Sequence, residues 1–271
     1  MTIYEKRADA RKMCERLESI INLTGASVTK TINSRENEYI LTKICDGTVY
    51  YAETIQYRNR EMAFKYPQYS YFVTGLQGLF SDNHLNMIDV SLFDTSNVIS
   101  LADTFRDNDR LKEIKGLEYW DTSKVRTALQ MFDGCTKLEK IDLTSFNLTN
   151  CEEIYRIFTD CESLKEIKGL ENLGHTKTTE LSCIFMNCRS LEDLDLSNWD
   201  VTKIDKIFNI FRNCVNLKNI KFSGWELKDK LQLINIFKNC ISLEKIVDCY
   251  DERLQTSFKW RDIGYSTNDY L

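Results

Sequence analysis

The sequence predicts an α/β solenoid: a right-handed coil with a parallel sheet on its concave side, short helices outside, and a small α+β cap at the N-terminus. Three observations predict it. Phenylalanines recur at Phe80, Phe105, Phe132, Phe158, Phe185, Phe211 and Phe237, at steps of 25 to 27 residues, and a fixed period in this range marks a stacked repeat. Apolar residues before each phenylalanine fall at i, i+3, i+4, i+7, as in Ile154, Ile157, Phe158 and Cys161, the stripe of a short helix. After the cysteine comes an alternating run such as Leu138, Ile141, Leu143 or Leu191, Leu194, Leu196, which reads as a short strand. Strands joined by helices in right-handed crossovers stack into a parallel sheet.

The elements follow in chain order. Residues 1–73 lack the repeat and read as a capping module. Ala10, Met13, Cys14, Leu17 and Ile21 line a helix that Gly25 can end. Asp46-Gly47 between two alternating runs is a hairpin signal, and a second helix around 55–65 should stop before Pro67. Residues 74–250 hold seven repeats. An aromatic follows most strands, at Phe93, Trp120, Phe146, Trp199 and Trp225. Between strand and helix, "DTSNV", "DTSKV" and "DVTKI" offer side chains that cap the next helix. Residues 251–271 depart from the repeat and read as a cap on the last coil that then frays.

The repeats alternate. "LKEIKGL" at 111 and 164 trades places with "LEKIDL" at 138 and "LEDLDL" at 191, so the period is two units. Along the strands, Lys112, Glu139, Lys165, Glu192, Lys218 and Glu244 change sign at each step, as do Asp89, Lys115, Asp142, Lys168, Asp195 and Lys221. Equivalent positions on adjacent strands are within side-chain reach, so these charges attract and set the register. The row Lys115, Asp142, Lys168, Asp195 and Lys221 is the candidate partner-binding surface on the concave side. Tyr66, Tyr69 and Tyr71, at the end of an aromatic-rich stretch, are the alternative.

The third position after each phenylalanine is filled by Asn83, Asn108, Cys135, Cys161, Cys188, Cys214 or Cys240. Cysteine alternating with asparagine reads as a structural ladder of small side chains that bond backbone at a turn. Only two histidines, His84 and His175, are present, neither recurring beside a serine or cysteine motif, so a catalytic triad or dyad is not expected. No Walker loop and no C-x-x-C occurs. The sequence therefore predicts no enzyme, no cofactor and no metal.

"LDLSNWDVTKIDKIFNIFRNC", residues 194–214, resembles the repeat of the BspA-like bacterial leucine-rich-repeat family, in which L-x-x-L-D-L-S-N-W-D-x-T and F-x-x-C-x-x-L recur in register. The resemblance covers about residues 74–250. It implies a leucine-rich-repeat-like coil and, from the family's usual members, an exported surface protein that binds other proteins. The opening "MTIYEKRADARKMCERLESII" carries charges throughout and no apolar core, which predicts no secretory signal. No stretch approaches the length of a membrane span. Ten cysteines without such a signal predict reduced thiols and a cytoplasmic setting. A net charge of −5 makes nucleic acid an unexpected partner.

The expected function is a non-enzymatic intracellular protein-binding solenoid, of phage or mobile-element type, that inhibits a host protein by occluding its surface. The alternative is a surface adhesin or structural repeat protein whose export signal lies outside this sequence.

Overall fold

The computed structural model describes residues 27–33, 36–45, 48–56, 71–73, 76–82, 85–90, 93–96 and 98–259, the first four stretches and Phe93–Asp94 by backbone alone. The expectations for the helix at residues 10–21 and for Tyr66, Tyr69, the Tyr71 side chain, Asn83, His84 and the end of the tail lie outside the described residues, as does the helix expected around 55–65 apart from residues 55–56, which are strand.

The strands β1 (Ser27–Asn33), β2 (Glu36–Cys45) and β3 (Thr48–Gln56) pair antiparallel in sequence order. Cys45 lies opposite Thr48, either side of residues 46–47, where the turn dipeptide was read. Next comes β4 (Tyr71–Val73), antiparallel to β3 and parallel to β6 (Phe93–Asp94). One sheet thus runs from this region into the first coil.

Each coil then contributes one short strand to a main row: β5 (Met87–Asp89), β7 (Glu113–Lys115), β8 (Lys140–Asp142), β9 (Glu166–Lys168), β11 (Asp193–Asp195), β13 (Asn219–Lys221) and β15 (Lys245–Val247). All pairings in this row are parallel, with isoleucine or leucine in register, as in Ile141↔Ile167 and Leu194↔Ile220. The central residue points inward and its neighbours outward, as the two-residue strand period dictates. A second parallel row forms at the bridges Ser100↔Thr127↔Glu153. It reappears as β10 (Glu180–Ser182), β12 (Lys206–Phe208) and β14 (Gln232–Ile234).

The expected outer helices are a correction. Among the described residues the only α-helix is α1 (Glu252–Lys259), whose Leu254 is buried against the last coil. Around each phenylalanine the chain instead makes successive turns. The residues two before and two after it have positive φ in all seven coils: Gly78 and Asp82, Asp103 and Asp107, Gln130 and Gly134, Arg156 and Asp160, Cys183 and Asn187, Asn209 and Asn213, Asn235 and Asn239. The Thr104 N–H bonds the Leu101 carbonyl and the Cys135 N–H bonds the Phe132 carbonyl, each closing a turn with positive φ at its third residue, as type II turns require. A left-handed residue every fourth position cannot continue a helix. Turns spaced three and four residues apart nevertheless face inward at helical intervals, and this is what the apolar stripe reflected.

Backbone groups freed by these turns go to the neighbouring coil. The N–H groups of Asp103, Phe105 and Asp107 donate to the carbonyls of Leu129, Met131 and Asp133. Buried backbone is thereby satisfied without a helix. The side chains of all seven phenylalanines are at most 1% exposed and stack in one spine, with neighbouring centroids 5.4 to 6.0 Å apart. Each such burial contributes about 1.5–3 kcal/mol, and ring stacking adds about 0.5–1.5 kcal/mol per pair. Trp120, Trp199 and Trp225 form a corner row and donate indole N–H bonds to the preceding coil at Val90, Leu170 and Leu196. Two of the sequences read as helix caps form Asx turns here: the Asp121 carboxylate accepts the Ser123 N–H at 3.0 Å, and the Asp200 carboxylate accepts the Thr202 N–H and hydroxyl at 3.0 and 2.6 Å.

Candidate binding face

The ladder position explains how the spine is held. Each phenylalanine carbonyl is buried and lies outside the coil-to-coil backbone ladder. The Cys135 thiol donates to the Phe105 carbonyl at 3.1 Å, Cys161 to Phe132 and Cys188 to Phe158 at 3.0 Å, Cys214 to Phe185 and Cys240 to Phe211 at 2.9 Å. Asn108 does the same with its amide, to Phe80 and to Phe105 at 2.7 Å. Burial pushes the thiol pKa of Cys135, Cys161, Cys188 and Cys214 upward, and that of Cys151 up to about 11. They remain protonated donors rather than nucleophiles. The eight cysteines whose side chains are described are in no disulfide.

The strand face carries the charge. Glu139 meets Lys165 at 2.9 Å, Lys140 meets Glu166 at 2.8 Å, Glu192 meets Lys218 at 2.7 Å and Asp195 meets Lys221 at 3.2 Å. Hydrogen bonds from the lysines hold the carboxyls of Glu139 and Glu166 below the usual carboxylate range. Asp142 and Asp195 are lowered first by the hydroxyls of Thr144 and Ser197. These groups are largely exposed, so each pair contributes little to stability. Among the five residues of the predicted row, Asp195 and Lys221 pair with each other. Lys115 reaches Glu113 of its own strand at 4.0 Å, and Asp142 and Lys168 sit side by side without an ion pair.

The alternation of sign does not produce a continuous ladder. Among the described residues no ion pair joins β7 to β8 or β9 to β11 on this face, and neither do strand hydrogen bonds. The first interruption opens a cleft of about 530 Å³. Its floor is the half-buried Ile114 with the buried Leu117 and Ile141. Its rim holds Lys112, Glu113, Lys140, Asp142, Glu166 and Lys168. Asp142 and Lys168 of the predicted row line it; Asp195 and Lys221 do not. The remaining lining residues were missed by the sequence reading, which took the face as an even ladder.

The cleft has apolar depth and a mixed-charge mouth, a shape suited to a protruding side chain. No histidine or cysteine lines it, and His175 is exposed at the end of the 3-10 helix Leu170–His175, away from any cysteine rung. Among the described residues no group of three or more metal-ligating side chains comes together, and no helix is long and apolar enough to cross a membrane.

Comparison with known proteins places the repeats. Residues 74–179 match the family described as Mycoplasma protein of unknown function, DUF285. Residues 129–249 match the BspA type leucine rich repeat region in six copies. No curated protein and no solved structure matches the chain. A repeat solenoid of this kind suggests protein–protein interaction or an adhesin-like role. With its strands, cysteine rungs and phenylalanine spine in register across the matched residues, the chain carries a BspA-type leucine-rich repeat region.

Proposed function

We propose that this protein is a non-enzymatic binding module whose strand face receives a protein partner, with the cleft between β7 and β8 taking an anchoring side chain. One observation carries the reading: the face is built of outward side chains on short parallel strands, its charges are largely paired along the strands, and the gap between β7 and β8 opens a cleft with an apolar floor and a rim that includes the Lys140–Glu166 pair. Anchors that fill such pockets dominate interface energetics, while the paired rim contributes fit. Neither a nucleophile–base pair nor a metal-ligand set is needed.

The narrower form of the proposal is a cytoplasmic protein that inhibits by occlusion, as a phage or mobile element would encode. Its support is the row of protonated thiols serving as donors, which suits a reducing compartment. The second form is a surface adhesin, favoured by the match to BspA-type repeats. Cell fractionation with an antibody to the native protein separates them: recovery from the outer surface excludes the cytoplasmic form.

The binding test uses a photo-crosslinking residue at Glu113 on the cleft rim and a second at Lys177 on a different face. Capture of one partner from Glu113 alone, lost on the charge reversals Lys140→Glu and Lys168→Glu with unchanged circular dichroism, is the expected result. Equal capture from Lys177, or capture that survives the reversals, would sink the assignment of the face.

A further inference from the structure

We infer that the coil is three rigid blocks joined by two hinges, with the phenylalanine spine as the fulcrum and the strand face opening and closing at β7/β8 and β9/β11. The origin lies in the chain length of two repeats. From strand isoleucine to next phenylalanine, Ile114 to Phe132 and Ile167 to Phe185 span 18 residues, whereas Ile88 to Phe105, Ile141 to Phe158 and Ile220 to Phe237 span 17. The longer repeats carry Gly116 and Gly169, both left-handed, each followed by a 3-10 turn. An extra residue with positive φ after a strand acts as a bulge and ends pairing.

The hydrogen bonds record the consequence step by step. Within a block, the residue after each strand donates its N–H to the next coil: Val90 to Lys115, Leu143 to Lys168, Leu196 to Lys221. At the equivalent place the Gly116 N–H turns to its own Glu118 carboxylate at 3.1 Å. Likewise the N–H groups of Lys112, Lys165, Lys218 and Glu244 reach back to Asn86, Glu139, Glu192 and Lys218. Those of Glu139 and Glu192, which begin the next blocks, make no such bond. Along the phenylalanine spine the bonds persist at both steps, although the second strand row pauses between Glu153 and Glu180. The Phe105 N–H still bonds Met131 and the Phe158 N–H still bonds Ile184, and the rings at these steps stack within 10° of parallel.

A stack fully bonded along one edge, and along the other lacking its backbone bonds with only the hydroxyls of Ser145 and Thr136 reaching the Leu117 and Asp109 carbonyls at 3.2 and 3.0 Å across the first gap, bends about the fully bonded edge. The cleft is the gap of the first hinge, so a partner side chain seated there fixes the angle between the blocks. The hinge stands on chain length and hydrogen bonding and does not require that reading of the cleft.

The test is pulsed electron spin resonance on the full chain, with Cys14, Cys45 and Cys249 changed to serine and the buried rungs kept. One labelled pair, Asn86→Cys with Lys165→Cys, spans the first hinge; another, Glu192→Cys with Glu244→Cys, lies within one block. The hinge-spanning pair should show a distance distribution at least about twofold broader, and deletion of Gly116 should narrow it to the within-block width without altering the second pair. Equal widths in the parent overturn the hinge whether or not the deletion variant folds. A deletion that folds and leaves the first pair broad overturns its assignment to the extra residue.

Discussion

Replacing Cys188 by alanine isolates the thiol's part in holding the spine. Cys188 is fully buried at the middle of the stack, and its Sγ lies 3.0 Å from the Phe158 carbonyl. That oxygen also accepts the Cys161 N–H at 3.2 Å, so alanine leaves it half satisfied rather than orphaned. Losing the hydrogen bond costs about 0.5–1.5 kcal/mol. Removing one buried atom larger than a methylene from a site that cannot collapse adds about 1 kcal/mol. The sum is about 2 kcal/mol, roughly a thirtyfold change in the folded to unfolded ratio. Serine restores a donor in a smaller side chain and should recover at least about 0.5 kcal/mol of the loss. Urea unfolding followed by far-ultraviolet circular dichroism measures both, compared at midpoints with matched slopes because repeat arrays can lose cooperativity. A serine variant less stable than the alanine variant would refute the donor role, and an alanine variant within about 0.5 kcal/mol of the parent would refute the packing account too.

Phe158→Ala removes one ring from the spine and should cost about 3–5 kcal/mol, with calorimetry showing two transitions as the halves uncouple. At Gly174 an added Cβ would collide with the Trp199 indole; Gly174→Ala should therefore destabilise by about 1–3 kcal/mol and shift tryptophan emission. Asp103 has its carboxyl pKa raised, chiefly by burial, so the folded state disfavours its ionised form. Its contribution is complete below the unfolded carboxylate pKa and is lost as pH rises through the raised folded value. Asp103→Asn should thus stabilise at neutral pH and converge with the parent in acid, read from melting temperature against pH. Asp142 and Asp195 run the other way: their pKa values are lowered, so stability from them is present above the unfolded pKa and lost as pH falls through the folded one.

The repeat period, the strand positions and the inward isoleucines were legible because stacking imposes one register on every coil. The outer helices were misread because Ile154, Ile157, Phe158 and Cys161 satisfy helix and turn spacing equally. A signal against the helix was available two residues after each phenylalanine. Asp82, Asp107, Gly134, Asp160, Asn187, Asn213 and Asn239 stand there, all residue types that tolerate a left-handed backbone. From Asp160 onward they also bond one another: Asn187 donates to Asp160, Asn213 to Asn187 at 2.6 Å, and Asn239 to Asn213 at 2.7 Å. The cleft was not legible as a site. The alternation of "LKEIKGL" with "LEKIDL" was visible, but charge sign drew the eye when the extra residue at Gly116 was what opened the ladder.

The cysteine and asparagine rungs also make the molecule's length a variable separate from its stability at any one point. Among the described residues every rung bonds the same carbonyl one coil back, so a coil sees only its neighbours and not its distance from either end. Excising the 53 residues from Phe132 to the residue before Phe185 would join two coils whose mating surfaces already match and would keep one long repeat beside one short. Excising a single repeat would place two of the same kind in contact and lose that alternation. Along the alternating coils from Phe80 to Phe211, duplication and loss therefore proceed without frustration in whole pairs, and a reach matched to a larger or smaller partner can be had by counting pairs rather than by redesigning a surface.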